Sequence, residues 1–435
     1  MVFSESPVSL RPSLQPDETL GSWLTRIALA NGLSPSEFYP IVLPGGRLYR
    51  TDLDRLACDD LVRNLAAYAG AEEAEVAAAT FRRWAGLLFE ADDGRRKLTW
   101  LPWVGTAGGR TSFGQQACPL CLVEDSHPYF RMTWRLGFVT ACPRHGILLI
   151  DRCPACGEPL QPLFLPPPNG RDRLIGCWKC GADYRRAPKV SVLDPGAVER
   201  EGGWRKIARE GWAMLGDYGP QYSLAWFPIL WRVYRLLATG RFAFPLRTGV
   251  ADRNRAMPRP ENLPMVKEVE RLNPRCRQAL LSMADELLRD WPRVFVEACR
   301  EVGIASRILI KDHADAPFAY RDPVVRHLSQ PMRTMGADET KAVTRLLEGE
   351  GRIPTLKNLL AVSGVKAGAF ADAAPARPVR PYGTHRYWKL DGVSAEVRAA
   401  AKAAAHRAGE KVGPWVEQVL RQKLARERRA HHIPK

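Results

Sequence analysis

The chain has 435 residues, 46% of them hydrophobic, and a formal charge of +17 with a pI near 9.6. That length allows two to four domains with packed cores, and no apolar run reaches the length of a membrane-spanning helix. Met1–Leu20 is proline-rich without an apolar segment, so the reading is a cytoplasmic, nucleoid-associated protein; so basic a chain points to a polyanionic partner, DNA first, and away from membranes.

Residues 1–16 read as an extended leader with Pro7, Pro12 and Pro16. Asp17, Glu18 and Thr19 then supply negative charge and a capping oxygen at a helix start. Leu20, Trp23, Leu24, Ile27 and Ala28 recur at helical spacing, Asn31-Gly32 ends that helix, and Ser34-Pro35 opens the next. Further apolar repeats (Leu53, Leu56, Leu61, Leu65, Val76, Phe81, Trp84) give an N-terminal helical domain over residues 1–90. A helix-turn-helix would fit inside it, although no helix stands out for base readout. Residues 91–117, rich in glycine and arginine, read as a linker.

Residues 118–186 carry four short knuckles: Cys118 with Cys121, Cys142 with His145, Cys153 with Cys156, and Cys177 with Cys180. Each pair is separated by two residues, and twenty residues lie between Cys121 and Cys142 and again between Cys156 and Cys177. Two ligands at that spacing grip one metal ion from a tight turn, and two knuckles complete a tetrahedral shell. Pro after the first ligand fixes φ, while Gly146, Gly157 and Gly181 permit a left-handed turn after the last. The simplest pairing is Cys118, Cys121, Cys142 and His145 for one structural zinc ion and Cys153, Cys156, Cys177 and Cys180 for a second; spacing leaves crossed pairings open. Disulfides and a catalytic zinc are the rivals; the first needs an oxidising compartment and the second an open coordination position. Ile147–Ile150 suggests a short buried strand. Arg131, Arg135, Arg144, Arg152, Lys179, Arg185 and Arg186 surround the ligands, where they would either face DNA phosphates or solvate a small module.

The order of these features resembles the TniQ family. Ser22, Trp23, Leu24 and Arg26 with Asn31–Ser34 resemble its opening motif. Cys118 and Cys121, then Pro128–Arg131, Trp134-Arg135, Cys142–Gly146 and Asp151–Gly157 continue the likeness, which covers about residues 9–186. TniQ proteins are transposon target-selection factors. The resemblance implies a non-catalytic protein that helps choose an insertion site and recruits the transposon AAA+ ATPase, some relatives reading DNA and others docking on an RNA-guided complex. It also implies that the eight knuckle residues are the metal ligands. The rival readings are a zinc-containing transcriptional regulator and a protein–protein adaptor without sequence specificity of its own.

Residues 187–373 read as a helical domain. Its aromatic stretch (Trp204, Trp212, Tyr218, Tyr222, Trp226, Phe227, Trp231, Tyr234) has the spacing of core rather than of base-stacking platforms. Arg247–Pro260 reads as a basic linker, and Cys58, Cys276 and Cys299 as inert or buried thiols. Residues 337–373 suggest a second helix-turn-helix whose third helix, Lys366–Ala373, offers Lys366 to DNA and little else. A Pro/Arg-rich linker follows at 374–384. The tail 385–435 resembles a ribbon–helix–helix module: a strand near His385–Leu390 and two helices. That likeness implies a homodimer with Arg386, Trp388 and Lys389 as strand contacts to DNA. No nucleophile elbow, phosphate loop, acidic metal cluster or His-Glu zinc-hydrolase pairing is present, so no catalytic residue is assigned. The expected fold class is mainly α and multidomain, with a small zinc-ribbon β module.

Overall fold

Thr19 starts the first helix of the computed structural model, its hydroxyl accepting from Ser22 N–H at 3.1 Å. The structure describes residues 9–46, 48, 52–92, 98–107, 110–167, 174–255, 257–266, 269–310, 316–329, 336–363 and 394–430. They fall into two units, residues 1–330 and 331–435, and are mainly helical.

In the first unit, α1 (Leu20–Ala30) runs to Asn31, and Ser34 opens α2 (Pro35–Val42) with a full capping box to Glu37. Next come α3 (Leu53–Leu56), α4 (Asp59–Ala69), which ends on Gly70 at φ 68°, and α5 (Glu73–Ala78). Leu20, Trp23, Leu24, Ile27 and Ala28 form the buried stripe expected of α1, against Phe38, Val42, Leu61 and Leu65. The leader is tied to this domain: Asn31 exchanges side-chain hydrogen bonds with the Leu10 backbone, and Trp23 Nε1 donates to Pro12 O at 2.8 Å.

A second core runs continuously from Phe81 to Leu328. It takes in part of the stretch read as a linker at 91–117. Trp100 is buried there, its indole N–H donating to Phe227 O at 3.1 Å, and β1 (Val104–Ala107) pairs antiparallel with β2 (Arg110–Phe113). Glycine and arginine content suggests a tether, but the tryptophan anchors the segment. After α6 (Pro119–Glu124) the knuckles follow with little regular structure. Ile147–Leu149 is buried and Ile150 half-buried, but the segment forms no strand: Ile147, Leu148 and Ile150 make isolated bridges to Ser191, Ala141 and Ala117 respectively. No two of them continue along one partner, so no ladder builds.

Then come α7 (Ala197–Glu210), the hairpin of β3 (Trp212–Met214) with β4 (Pro220–Tyr222), α8 (Ser223–Ala238), α9 (Ala243–Arg253), α10 (Pro274–Leu288), α11 (Arg293–Glu301), α12 (Ser306–Leu309) and α13 (Phe318–Leu328). The aromatics read as core divide. Trp204, Trp226, Phe227 and Tyr234 are buried, whereas Trp212 and Tyr222 stand exposed on the hairpin, their rings tilted by 35° with centroids 3.9 Å apart. The expected linker at 247–260 is half helix, because Arg247 is buried and donates to Leu237 O at 2.6 Å and Leu263 O at 2.8 Å. Cys299 is buried, but Cys58 is exposed.

In the second unit α14 (Ala337–Gly349) packs on α15 (Leu356–Ser363) through Leu347 and Leu359, and α16 (Ala395–Arg407) contacts α17 (Val412–Ala430). The third helix of the suggested helix-turn-helix, the 374–384 linker and the suggested strand lie outside the described residues, as do Lys366, Arg386, Trp388 and Lys389. Among the described residues no helix is long and apolar enough to cross a membrane.

Candidate metal centres

Three of the four knuckles share one backbone design. Cys142, Cys153 and Cys177 each accept, through their carbonyls, the N–H of the glycine four residues on, at 2.9, 2.9 and 2.8 Å. Those glycines, Gly146, Gly157 and Gly181, have φ of 61°, 74° and 73°, which an L side chain adopts only with strain. The N–H groups of the same cysteines donate to Ile147, Glu158 and Ala182 carbonyls at 2.8, 2.7 and 2.9 Å, closing each turn. The first knuckle differs. Cys118 is the N-cap of α6, with Pro119 at its first helical position, so a helix start rather than a glycine turn aims Cys118 and Cys121.

The turns bring the ligands together in sequential pairs. Cys118, Cys121, Cys142 and His145 form one group, and Cys153, Cys156, Cys177 and Cys180 the other; within each, the ligand atoms lie within 4.8 Å of one another. His145 Nδ1 is 3.3 Å from Cys118 Sγ, 3.5 Å from Cys121 Sγ and 3.4 Å from Cys142 Sγ. Cys121 and Cys142 sulfurs are 3.6 Å apart, Cys153 and Cys180 3.6 Å, and Cys156 and Cys177 3.7 Å. A disulfide needs about 2.05 Å. A tetrahedron with Zn–S near 2.3 Å has S···S edges of roughly 3.8 Å and S···N edges of roughly 3.5 Å. Each cluster could therefore hold one metal ion in a closed shell, and thiolate with imidazole is a donor set suited to zinc. The crossed pairings that spacing left open are not the arrangement found.

The first centre is the more enclosed: its three cysteines are buried, whereas Cys156 and Cys180 of the second are exposed. His145 turns Nε2 outward to Glu124 Oε2 at 2.9 Å, and Arg144 Nη2 reaches the same oxygen at 2.7 Å. A carboxylate on the far nitrogen fixes the tautomer that leaves Nδ1 free to ligate. Glu124 escapes a search for ligands because it binds no metal; its sequence signal is an acid three residues beyond Cys121 on the same short helix.

The helical domain docks on this module through residues 17–22, which meet residues 130–133. Thr19 N–H donates to Phe130 O at 3.0 Å, Phe130 N–H to Ser22 Oγ at 2.9 Å, and Thr133 N–H and Oγ1 to Asp17 Oδ2 at 3.1 and 2.7 Å. Glu18, buried beneath them, accepts from Arg26 and Ser22, and its pKa is pushed up to about 7 by burial against the pull of Arg26. From the opposite side, Glu201 of α7 accepts from Thr140 N–H at 2.9 Å, Ala141 N–H at 3.0 Å and the Thr140 hydroxyl, bracing the residues just before Cys142.

The cations expected to face phosphates have other company. Arg135 is fully buried and pairs with Asp52 and Asp54, so it is removed from any DNA surface; two carboxylates across the domain junction claim it. Arg131 pairs with Asp125 at 2.8 Å and lies over the Tyr129 and Trp134 rings at 4.4 and 4.7 Å. Arg144, Lys179 and Arg185 are exposed beside Glu124, Glu158 and Asp183, Arg152 is half-buried beside Asp151, and Arg186 is exposed.

No curated protein matches the chain. A family model does, over the helical domain, the residues through which it docks and the first metal centre, and the second centre lies beyond the matched stretch. Residues 9–149 match the TniQ family model, so the chain carries a TniQ domain.

Proposed function

We propose that the protein is a non-catalytic transposition factor that recognises a target and passes it to the transposon AAA+ ATPase, with two structural zinc ions holding its central module. The observation that carries this reading is the TniQ match over residues 9–149, which takes in the helical domain and the first metal centre as one piece. The net charge of +17 supports contact with DNA, either directly or beside a guide-RNA complex that does the reading. Exposed apolar positions on the last two helices, Val397, Val419, Leu420 and Leu424, support pairing with a second copy.

A second reading, an adaptor that lies against DNA without choosing it, is favoured by one observation. Arg131, Arg144, Lys179 and Arg185 each face an acid of their own module. The exposed pairs among these, at Arg144, Lys179 and Arg185, are worth about 0–1 kcal/mol, so phosphates can still compete for those cations, but without base readout.

Titrating the full chain with duplex DNA separates the two. A target reader keeps a large preference for one sequence at physiological salt; an adaptor shows a steep, sequence-blind salt slope. Capture of a transposon AAA+ ATPase, with and without DNA, tests the shared part. Failure to bind the ATPase in either condition counts against both readings.

A further inference from the structure

A groove between α7 and the β3–β4 hairpin encloses about 660 Å³, and none of its lining residues is a metal ligand. Its walls are aromatic. Trp204 and Trp226 are buried in its floor with centroids 6.2 Å apart, while Trp212 of β3 is half exposed and lies tilted against Tyr222. Met214, 72% exposed, extends the apolar rim.

The charged groups here run against the rest of the chain. Glu199, Glu210 and Asp285 outnumber Arg200 and Lys206 along the lining. Arg200 is already engaged, with Asp194 at 2.6 Å and Ser282 Oγ at 2.8 Å, and Lys206 has Glu210 at 4.0 Å. The Asp285 carboxylate has no hydrogen bond or ion pair among the described residues. Burial raises its pKa, Arg200 opposes the rise, and Asp194 and Glu286 add to it. An anion so placed is stabilised by an arriving cation.

We propose that this groove takes an arginine side chain presented by an extended segment of a partner protein, its guanidinium pairing with Asp285 and lying over Trp212. A guanidinium is planar and weakly hydrated, and it stacks on indole while forming a two-point pair with a carboxylate. A neutral flat ligand would leave Asp285 unpaired, and a nucleotide would bring its phosphates to Glu199 and Glu210. The exposed Met214 and Tyr222 suit apolar neighbours of that arginine in the partner. The inference stands independently of the transposition reading.

The test uses the full chain and a dye-labelled, end-blocked peptide Gly-Leu-Arg-Leu-Gly, followed by fluorescence anisotropy. The isosteric citrulline peptide serves as the neutral control. Binding is expected to weaken about tenfold or more on each of three changes, citrulline for arginine, Asp285→Asn, and Trp212→Ala, with the thermal midpoint of both variants close to that of the parent. Equal binding of the two peptides, or binding unchanged by Asp285→Asn, would overturn the proposal. So would single-stranded oligothymidine that binds in a Trp212-dependent but Asp285-independent way, since that outcome makes the groove a base-stacking platform.

Discussion

Arg135 and Asp52 are 83 positions apart in the chain yet form a two-point ion pair in the interior, with Nη2–Oδ2 at 2.7 Å and Nη1–Oδ1 at 3.3 Å. Asp54 completes the group: it accepts from Arg135 and from Gly21 N–H at 2.8 Å, which brings the start of α1 into the same cluster. One guanidinium thus ties the helical domain to the metal-bearing module.

Removing that guanidinium leaves two carboxylates buried together. Arg135→Met should destabilise the protein by about 3–5 kcal/mol, the usual cost of orphaning a buried charge. Adding Asp52→Asn and Asp54→Asn to it should recover part of the loss, because no uncompensated charge remains. Denaturant unfolding of the single and triple variants checks this; a triple variant less stable than the single one would contradict it.

Glu124 should set the metal affinity of the first centre without binding the metal. Glu124→Ala is expected to lower that affinity about 10–100-fold by freeing the His145 ring, with the second centre unaffected. Competition with a calibrated zinc chelator reads the two sites separately. Equal weakening of both sites would assign Glu124 a general structural role instead.

Glu18 gives a pH signature whose sign runs opposite to that of a carboxylate whose pKa the fold lowers. Its folded pKa of about 7 lies above the unfolded value of 4.5, so the folded state keeps a proton that the unfolded chain releases. Stability from this group is complete below about 4.5 and is lost as the pH rises toward about 7. Glu18→Gln cannot titrate. The stability of the parent relative to this variant should fall by about 3 kcal/mol between those pH values. A difference that stays flat, or grows with pH, would show that Glu18 remains ionised in the fold.

The metal ligands were legible because knuckle geometry is local: two residues between ligands in all four knuckles, with Pro after the first ligand in three and Gly after the last in three. Their pairing was not, since four knuckles of this kind satisfy crossed and sequential shells alike, and only the path of the chain decides. The same divide runs through the charged residues. Thr19 and Ser34 cap helices as their neighbours in sequence suggest. Arg135 and Arg247 look like surface cations because sequence gives charge without depth, and what neutralises them, Asp52 and Asp54 for one and main-chain carbonyls for the other, is remote or invisible in a pattern of side chains. Trp100 was hidden in the same way, as one large apolar residue inside a glycine- and arginine-rich stretch. The buried stripe of α1 needed no such context, because its 3.6-residue period already names its inward face.

Loss of a second-centre ligand should have a local and cooperative effect. Cys177→Ser opens that shell, and because metal binding and folding of such a module are coupled, protease cutting should appear within residues 153–186 under native conditions. Limited proteolysis with mass spectrometry locates the cuts. Cleavage confined to residues 331–435 would mean that the second centre carries little of the module's order.

Metal content measured on reduced, full-length protein is the most direct test. Two zinc ions per chain are expected, held in the groups found here, and their removal by a strong chelator should abolish the cooperative thermal transition. Protein free of tightly bound metal that unfolds with the same transition would contradict the proposal that closed zinc centres hold the molecule together.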